Sequence, residues 1–219
     1  MARVVTVNAG LEAFVTRAAH ELGIEVGIKS ASYSSLEEDY LALTSICSGL
    51  IQTALYPTIH VKKYRGREVI TPAKFNEELL REIQRVVNER TKLKKQDGVT
   101  TYRFNTNGDF LESVDAISTE SIWSLEYSIT SIFENSVRSA HRLPLGKTEL
   151  TSSNWMVMKF DAPRDLDMKR PFMHLFAHEP GYRIKKASSH LGYVALAEGI
   201  NLFEKLAHAV DYLEGVINE

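Results

Sequence analysis

Cysteine is nearly missing from this chain: of its 219 residues only Cys47 carries a thiol. A single thiol cannot close an internal disulfide, so the fold must be held by burial of apolar surface, and a reducing compartment is expected. Proline is scarce, at six residues, and the 12 glycines are scattered. Neither G-x-G-x-x-G nor a P-loop can be written, which excludes the phosphate cradles that a motif reveals. G-x-S-x-G is absent as well. Cys47 sits in an apolar stretch rather than at a helix N-terminus, so no activated nucleophile is legible. Charge of one sign is also lacking. A formal net charge of −2 removes the strong field of a generic nucleic-acid or membrane binder. No apolar run approaches the roughly 20 residues that span a bilayer, and the first residues lack the layout of a signal peptide. These absences lead to the expectation of a cytoplasmic protein with no cofactor and no membrane partner.

What is present suits a globular chain. Hydrophobic residues make up 44% and charged residues 25%, enough for a sizeable core. No repeat, low-complexity tract or linker divides it. The expectation is one α+β domain over 1–219, with a weak subdivision near 97–98. Four main amphipathic helices are expected to pack with short, mostly antiparallel strands and hairpins.

The first helix is read over Leu11 to Leu22, where apolar residues recur at three- and four-residue steps. A second is read from Ser35, whose partner Glu38 completes a capping-box pattern, to Tyr56, before Pro57. A further helix starts at Thr71-Pro72. Ser118 to His141 reads as another, and Ser189 to Ile217 as the last. Between them, Thr58–Val61 and Glu68–Ile70 flank a basic hairpin. Val99–Phe104 and Phe110–Val114 bracket an Asn-Gly turn. Trp155–Phe160 and Tyr182–Lys186 read as strands, Asp161 to Pro171 as loop, and Phe172 to Ala177 as strand or short helix.

Candidate chemistry is sparse. His174 and His178 lie four apart and would share one helix face, as two metal ligands do. Neither His-Glu-x-x-His nor its inverse is present. Asp161, Asp165, Asp167 and Lys169 contain a D-x-K element, in which acids bind a divalent ion and lysine positions water. That element belongs on a core strand, whereas prolines flank it here. Arg138 and His141 are similar to the catalytic helix end of HEPN ribonucleases, but their gap is too short for that pattern. Cations at a helix C-terminus are favourable without any catalytic role.

Charge distribution is the strongest pattern. Residues 62–95 hold eleven Lys or Arg against five Glu, whereas 109–134 hold six acids and no Lys or Arg. Opposed faces of this kind suit head-to-tail association. The resulting expectation is a non-enzymatic, self-associating or partner-binding subunit of a larger cellular or viral assembly, either a homo-oligomer or part of a bigger particle. Its basic contact would be Lys62, Lys63, Arg65, Arg67, Arg90, Lys92, Lys94 and Lys95. Its acidic contact would be Asp109, Glu112, Asp115 and Glu120. The alternative is a nucleic-acid-binding protein, or a metal-dependent nucleic-acid-processing one, using the same basic residues on phosphates. Its centre would be the aspartate loop or the histidine pair.

Overall fold

The computed structural model describes residues 3–49, 52–94, 96–162, 169–188 and 190–215. Strand β1 (Val4–Asn8), helix α1 (Glu12–Glu21) and strand β2 (Gly27–Ala31) open the chain, and the two strands pair in parallel. The remaining strands form one nine-stranded sheet. They are β3 (Tyr40–Ser48), β4 (Gln52–Leu55), β5 (Ile59–Tyr64), β6 (Arg67–Pro72), β7 (Gly98–Phe104), β8 (Phe110–Val114), β9 (Trp155–Phe160), β10 (Arg183–Lys186) and β11 (Gly192–Ala197). Their order is β10-β11-β9-β6-β5-β3-β7-β8, with β4 also paired to β3, and each of these pairings is antiparallel. No helix among the described residues is long and apolar enough to cross a membrane.

Helices cover both faces of this sheet. On one face, Tyr40, Ala42, Ile59, Val61, Ile70, Val157 and Ala195 pack with α1 and with α4 (Ile132–Ala140). On the other, α2 (Glu77–Lys94) lays Ile83 and Val87 against Leu41, Leu43, Tyr102 and Phe104. Further along that second face, α6 (Leu202–Leu213), with α5 (Lys169–His178) beside it, covers Val69, Met158 and Val194. Period-two alternation sends successive side chains to opposite faces, so a strand covered on both sides is apolar throughout.

This layering corrects the four-helix expectation. The apolar run read as a helix from Ser35 to Tyr56 is β3 and β4, joined through a turn in which Gly49 has φ +67°. Nearly every residue of β3 is buried, and continuous burial erases the polar stripe that separates a strand from a helix. Cys47 therefore lies on a strand. The segment from Ser118 to His141 is also not one helix. It forms a 3-10 turn (Thr119–Trp123), a short α3 (Ser124–Tyr127) and α4, with extended backbone at Ser128 between them. Ser131 caps α4 by accepting from the Glu134 N–H at 3.1 Å. Ile129, expected in the core, is 55% exposed. The last expected helix is strand β11 in its first part, and α6 starts only at Leu202. Phe172 to Ala177 is helical, within α5.

Candidate functional site

Burying a charge costs several kcal/mol unless it is paired. A strand alternation that places charged residues on the inner face therefore needs a reason. On β9, Trp155 and Val157 face the α1 and α4 layer, and the next residue in that alternation is Lys159. Its Nζ donates to the Thr119 hydroxyl at 2.7 Å and pairs with Glu68 on β6. Glu68 also accepts from Lys63 Nζ of β5 at 2.9 Å, across the Lys63–Glu68 register.

The pattern continues in both directions. Lys159 stands opposite Tyr193 of β11, and Tyr193 opposite Lys185 of β10. Both reach Glu126 of α3, at 2.8 and 2.6 Å respectively. Toward the other edge, Tyr40 of β3 lies under the guanidinium of Arg103 on β7, whose carbon is 5.4 Å from the ring centre. Arg103 donates to both oxygens of Glu120 at 2.8 and 3.2 Å, and to Glu112 of β8 at 2.6 Å. A belt of polar side chains thus crosses the inner face of the sheet. Residues 119–127 lie over it, pinned where Trp123 and Tyr127 each stack on Trp155 at 5.1 Å.

Electrostatics follow from this pairing. Burial alone would raise the Glu68 carboxyl, but Lys159 and Lys63 outweigh it and hold the group below the ordinary carboxylate value. Burial works against the Arg103 cation, yet Glu120 and Glu112 overcome that and raise its pKa. Burial, with Glu120 and Glu68 nearby, raises the Tyr40 phenol well above its usual value.

Several members of both charged segments are paired within the chain, though among the described residues only Lys94 and Asp115 join one segment to the other by an ion pair. Arg67 donates to Asp211 at 2.5 Å and to Glu214 at 3.1 Å, both at the C-terminal end of α6. Arg65 lies beside Asp211 at 3.9 Å, and Arg90 covers the Phe110 ring at 3.7 Å. Lys94 pairs with Asp115, which also accepts from Thr100 at 2.9 Å. Together these line a cavity of ≈ 340 Å³ beside β1, and burial lowers the pKa of Lys94. Asp109 closes the β7–β8 turn against Asn105 at 2.9 Å. Lys62 and Lys92 are exposed, while Lys95 lies outside the described residues.

The other candidates are described only in part. Asp161 is exposed and its N–H donates to Glu214 at 3.0 Å. Asp165 and Asp167 lie outside the described residues, and Lys169 begins α5. His174 and His178 do share a helix face, with rings 4.6 Å apart, but His174 stacks on Tyr212 at 4.5 Å. Among the described residues no three His, Cys, Asp or Glu gather as metal ligands. Sequence reasoning passed over Tyr40, Glu68, Arg103 and Lys159 as site residues, and read Ser35 as a helix cap. The available signal was a charged residue at an inward position of an otherwise apolar alternation.

No family model and no curated protein sequence matches this chain. Solved structures do. N5-carboxyaminoimidazole ribonucleotide synthetase from Thermus thermophilus superposes with a TM-score of 0.60 at 18% identity, covering 86% of this chain and 53% of that one. The chain shares the fold of this structure. Glycinamide-RNase-transformylase T from Mycobacterium tuberculosis gives a TM-score of 0.64 at 15% identity, covering 85% and 58%. The Aspergillus clavatus N5-carboxyaminoimidazole synthase, solved with ADP and 5-aminoimidazole ribonucleotide, gives 0.61 at 13%, covering 84% and 52%. The chain thus spans a little over half the length of these structures. This likeness to enzymes, together with the internal charge pairing, overturns the non-enzymatic assembly subunit and virion component inferred from charge polarity. Of the residues expected in a basic patch, Lys63, Arg67 and Lys94 are engaged in ion pairs within the chain, whereas Lys62 and Lys92 are exposed.

Proposed function

We propose that this chain is the ATP-grasp-like part of a nucleotide-dependent synthetase, and that the polar belt is where its phosphorylated ligand is handled. Similar folds were solved with ADP, one of them also with a ribonucleotide. The observation that carries the reading is the belt itself: buried ionisable groups with specific charge partners are candidates for a functional site. Arg103, Lys63 and Lys159 supply cations for phosphate oxygens, as phosphoryl-transfer sites require. Glu68 and Glu120 fix the directions of those cations. A divalent ion does not fit the belt as a protein-held group, because Arg103 already takes both Glu112 and Glu120.

Isothermal titration calorimetry with ADP, and separately with ribose 5-phosphate, tests the reading. Saturable binding below about 1 mM, weakened by Lys159→Met without loss of fold, is expected. A folded chain that takes up neither compound overturns it.

A further inference from the structure

Residues 32–39 join β2 to β3 without regular structure and run over one half of the belt. Asn8 clamps the start of this segment: its Nδ2 donates to the Tyr33 carbonyl at 3.2 Å, and its Oδ1 accepts from the Tyr33 N–H at 3.1 Å. Beyond that clamp, the Ser34 carbonyl accepts from Arg103 Nη1 at 3.0 Å. The Ser35 hydroxyl accepts from Lys63 Nζ and itself bonds the Glu68 carboxylate. Asp39 accepts from the backbone N–H of Lys63 at 2.8 Å. Most side chains of the segment are exposed, and Leu36 is the one partly buried hydrophobic residue in it.

Two features point to a competitor for these contacts. First, what the segment offers the belt is a pair of neutral oxygens, one on a guanidinium and one on an ammonium. Anionic oxygens bind both cations more strongly. Second, the Tyr40 hydroxyl at the edge of the belt is buried and makes no hydrogen bond of ordinary geometry, interacting there with the Ser35 side chain of this segment, although buried hydroxyls are normally well satisfied.

We infer that residues 34–39 form a strap that a phosphate ester displaces from the belt, the Ser34 carbonyl and Ser35 hydroxyl standing where two of its oxygens bind. The inference rests on the belt being the ligand site. The Asn8–Tyr33 clamp is the hinge, and the ester takes the place of the Ser35 side chain beside the Tyr40 hydroxyl. The strap also carries Glu37, Glu38 and Asp39, so its departure removes three negative charges from the path of an anion. Segments held by a few polar contacts and one apolar side chain open at low cost.

Hydrogen exchange of the full chain with and without ribose 5-phosphate, at matched ionic strength, tests this directly. The Lys63 amide reports the strap because Asp39 is its acceptor, and the Tyr33 amide reports the hinge. Faster exchange at Lys63 with unchanged exchange at Tyr33 is expected. Ser35→Ala removes the competing contact and should tighten ribose 5-phosphate binding by about tenfold. Ser32→Ala, exposed and outside the belt, should leave it unchanged. Unaltered Lys63 exchange under saturating ribose 5-phosphate, or weaker binding by Ser35→Ala, overturns the strap. Calorimetric ADP binding with an unmoved strap would sink this inference and leave the nucleotide reading standing. Strap opening by ribose 5-phosphate without any ADP binding would support the strap and restrict the ligand to the ribose phosphate.

Discussion

Replacing Arg103 by methionine removes the cation from a pair in which both side chains are only 2% exposed. The methionine fills most of the volume, so the loss is electrostatic: Glu120 stays buried with its guanidinium gone. Breaking a buried pair from one side costs about 3–5 kcal/mol. Domains of this size lose roughly 2–4 °C of Tm per kcal/mol, which puts the expected fall at about 6–20 °C. Glu112, the second acceptor, is 45% exposed. Glu112→Ala should therefore cost at most about 1 kcal/mol. Arg103→Met combined with Glu120→Leu removes both buried charges and should regain most of the loss, because an apolar pair of similar volume replaces an ionic one at little cost. Guanidinium unfolding of the four proteins at pH 7 measures the coupling. Should Arg103→Met unfold within about 1 kcal/mol of the parent, or the double variant be the least stable of the set, the belt would not be the closed ionic network described here.

Glu68 has a folded-state pKa below its ordinary value, so its contribution is present above the usual carboxylate range and disappears as pH falls through the folded value. Acid titration of stability should accordingly be shallower below about pH 4.5 in Glu68→Gln than in the parent, with the variant less stable at pH 7. The Trp123 and Trp155 rings stack at 5.1 Å and 10°, so the near-ultraviolet circular dichroism should carry a coupled indole signal that Trp123→Phe abolishes while the fold persists. Gly192 faces Phe160 so closely that an added Cβ would lie 2.3 Å from the ring. Gly192→Ala should cost about 1–3 kcal/mol by overpacking, and adding Phe160→Leu should relieve part of it, as denaturant unfolding will show.

Hairpins were the legible part of this fold. The β5–β6 turn places Arg65 at φ 49° and Gly66 at φ 78°, the backbone that a two-residue hairpin with right-handed strand twist demands. Between β7 and β8 the Asn-Gly pair also marked a turn, although that loop spans residues 105–109 and Gly108, at φ 92°, takes the left-handed backbone there while Asn107 does not. Helices α1 and α2 were legible because each has one apolar face, although Thr71-Pro72, read as the start of α2, ends strand β6 and the helix begins at Glu77. Strand β3 was not, since Leu41 and Leu43 meet α2 while Tyr40 and Ala42 meet the opposite layer. Ser35 and Glu38 imitated a helix cap, but the serine hydroxyl is spent on Lys63 and Glu68. The candidate site was hidden by distance along the chain. Arg67 meets acids on α6, and Arg103 meets Glu120 across the 3-10 turn. A count of charges by segment contains no information about such meetings.

Strand order also dictates when this molecule can begin to be stable. Strand β6 ends at Pro72, yet its outer neighbour β9 begins only at Trp155. The centre of the sheet therefore stays open while everything between them is synthesised. Pairings between distant segments close slowly, and an open strand edge invites other chains to add to it. A nascent chain cut short before Trp155 would leave Val69 and Ile70 at an unprotected edge. Such a fragment should depend on chaperones to stay dispersed, whereas the chain carrying β9 should not.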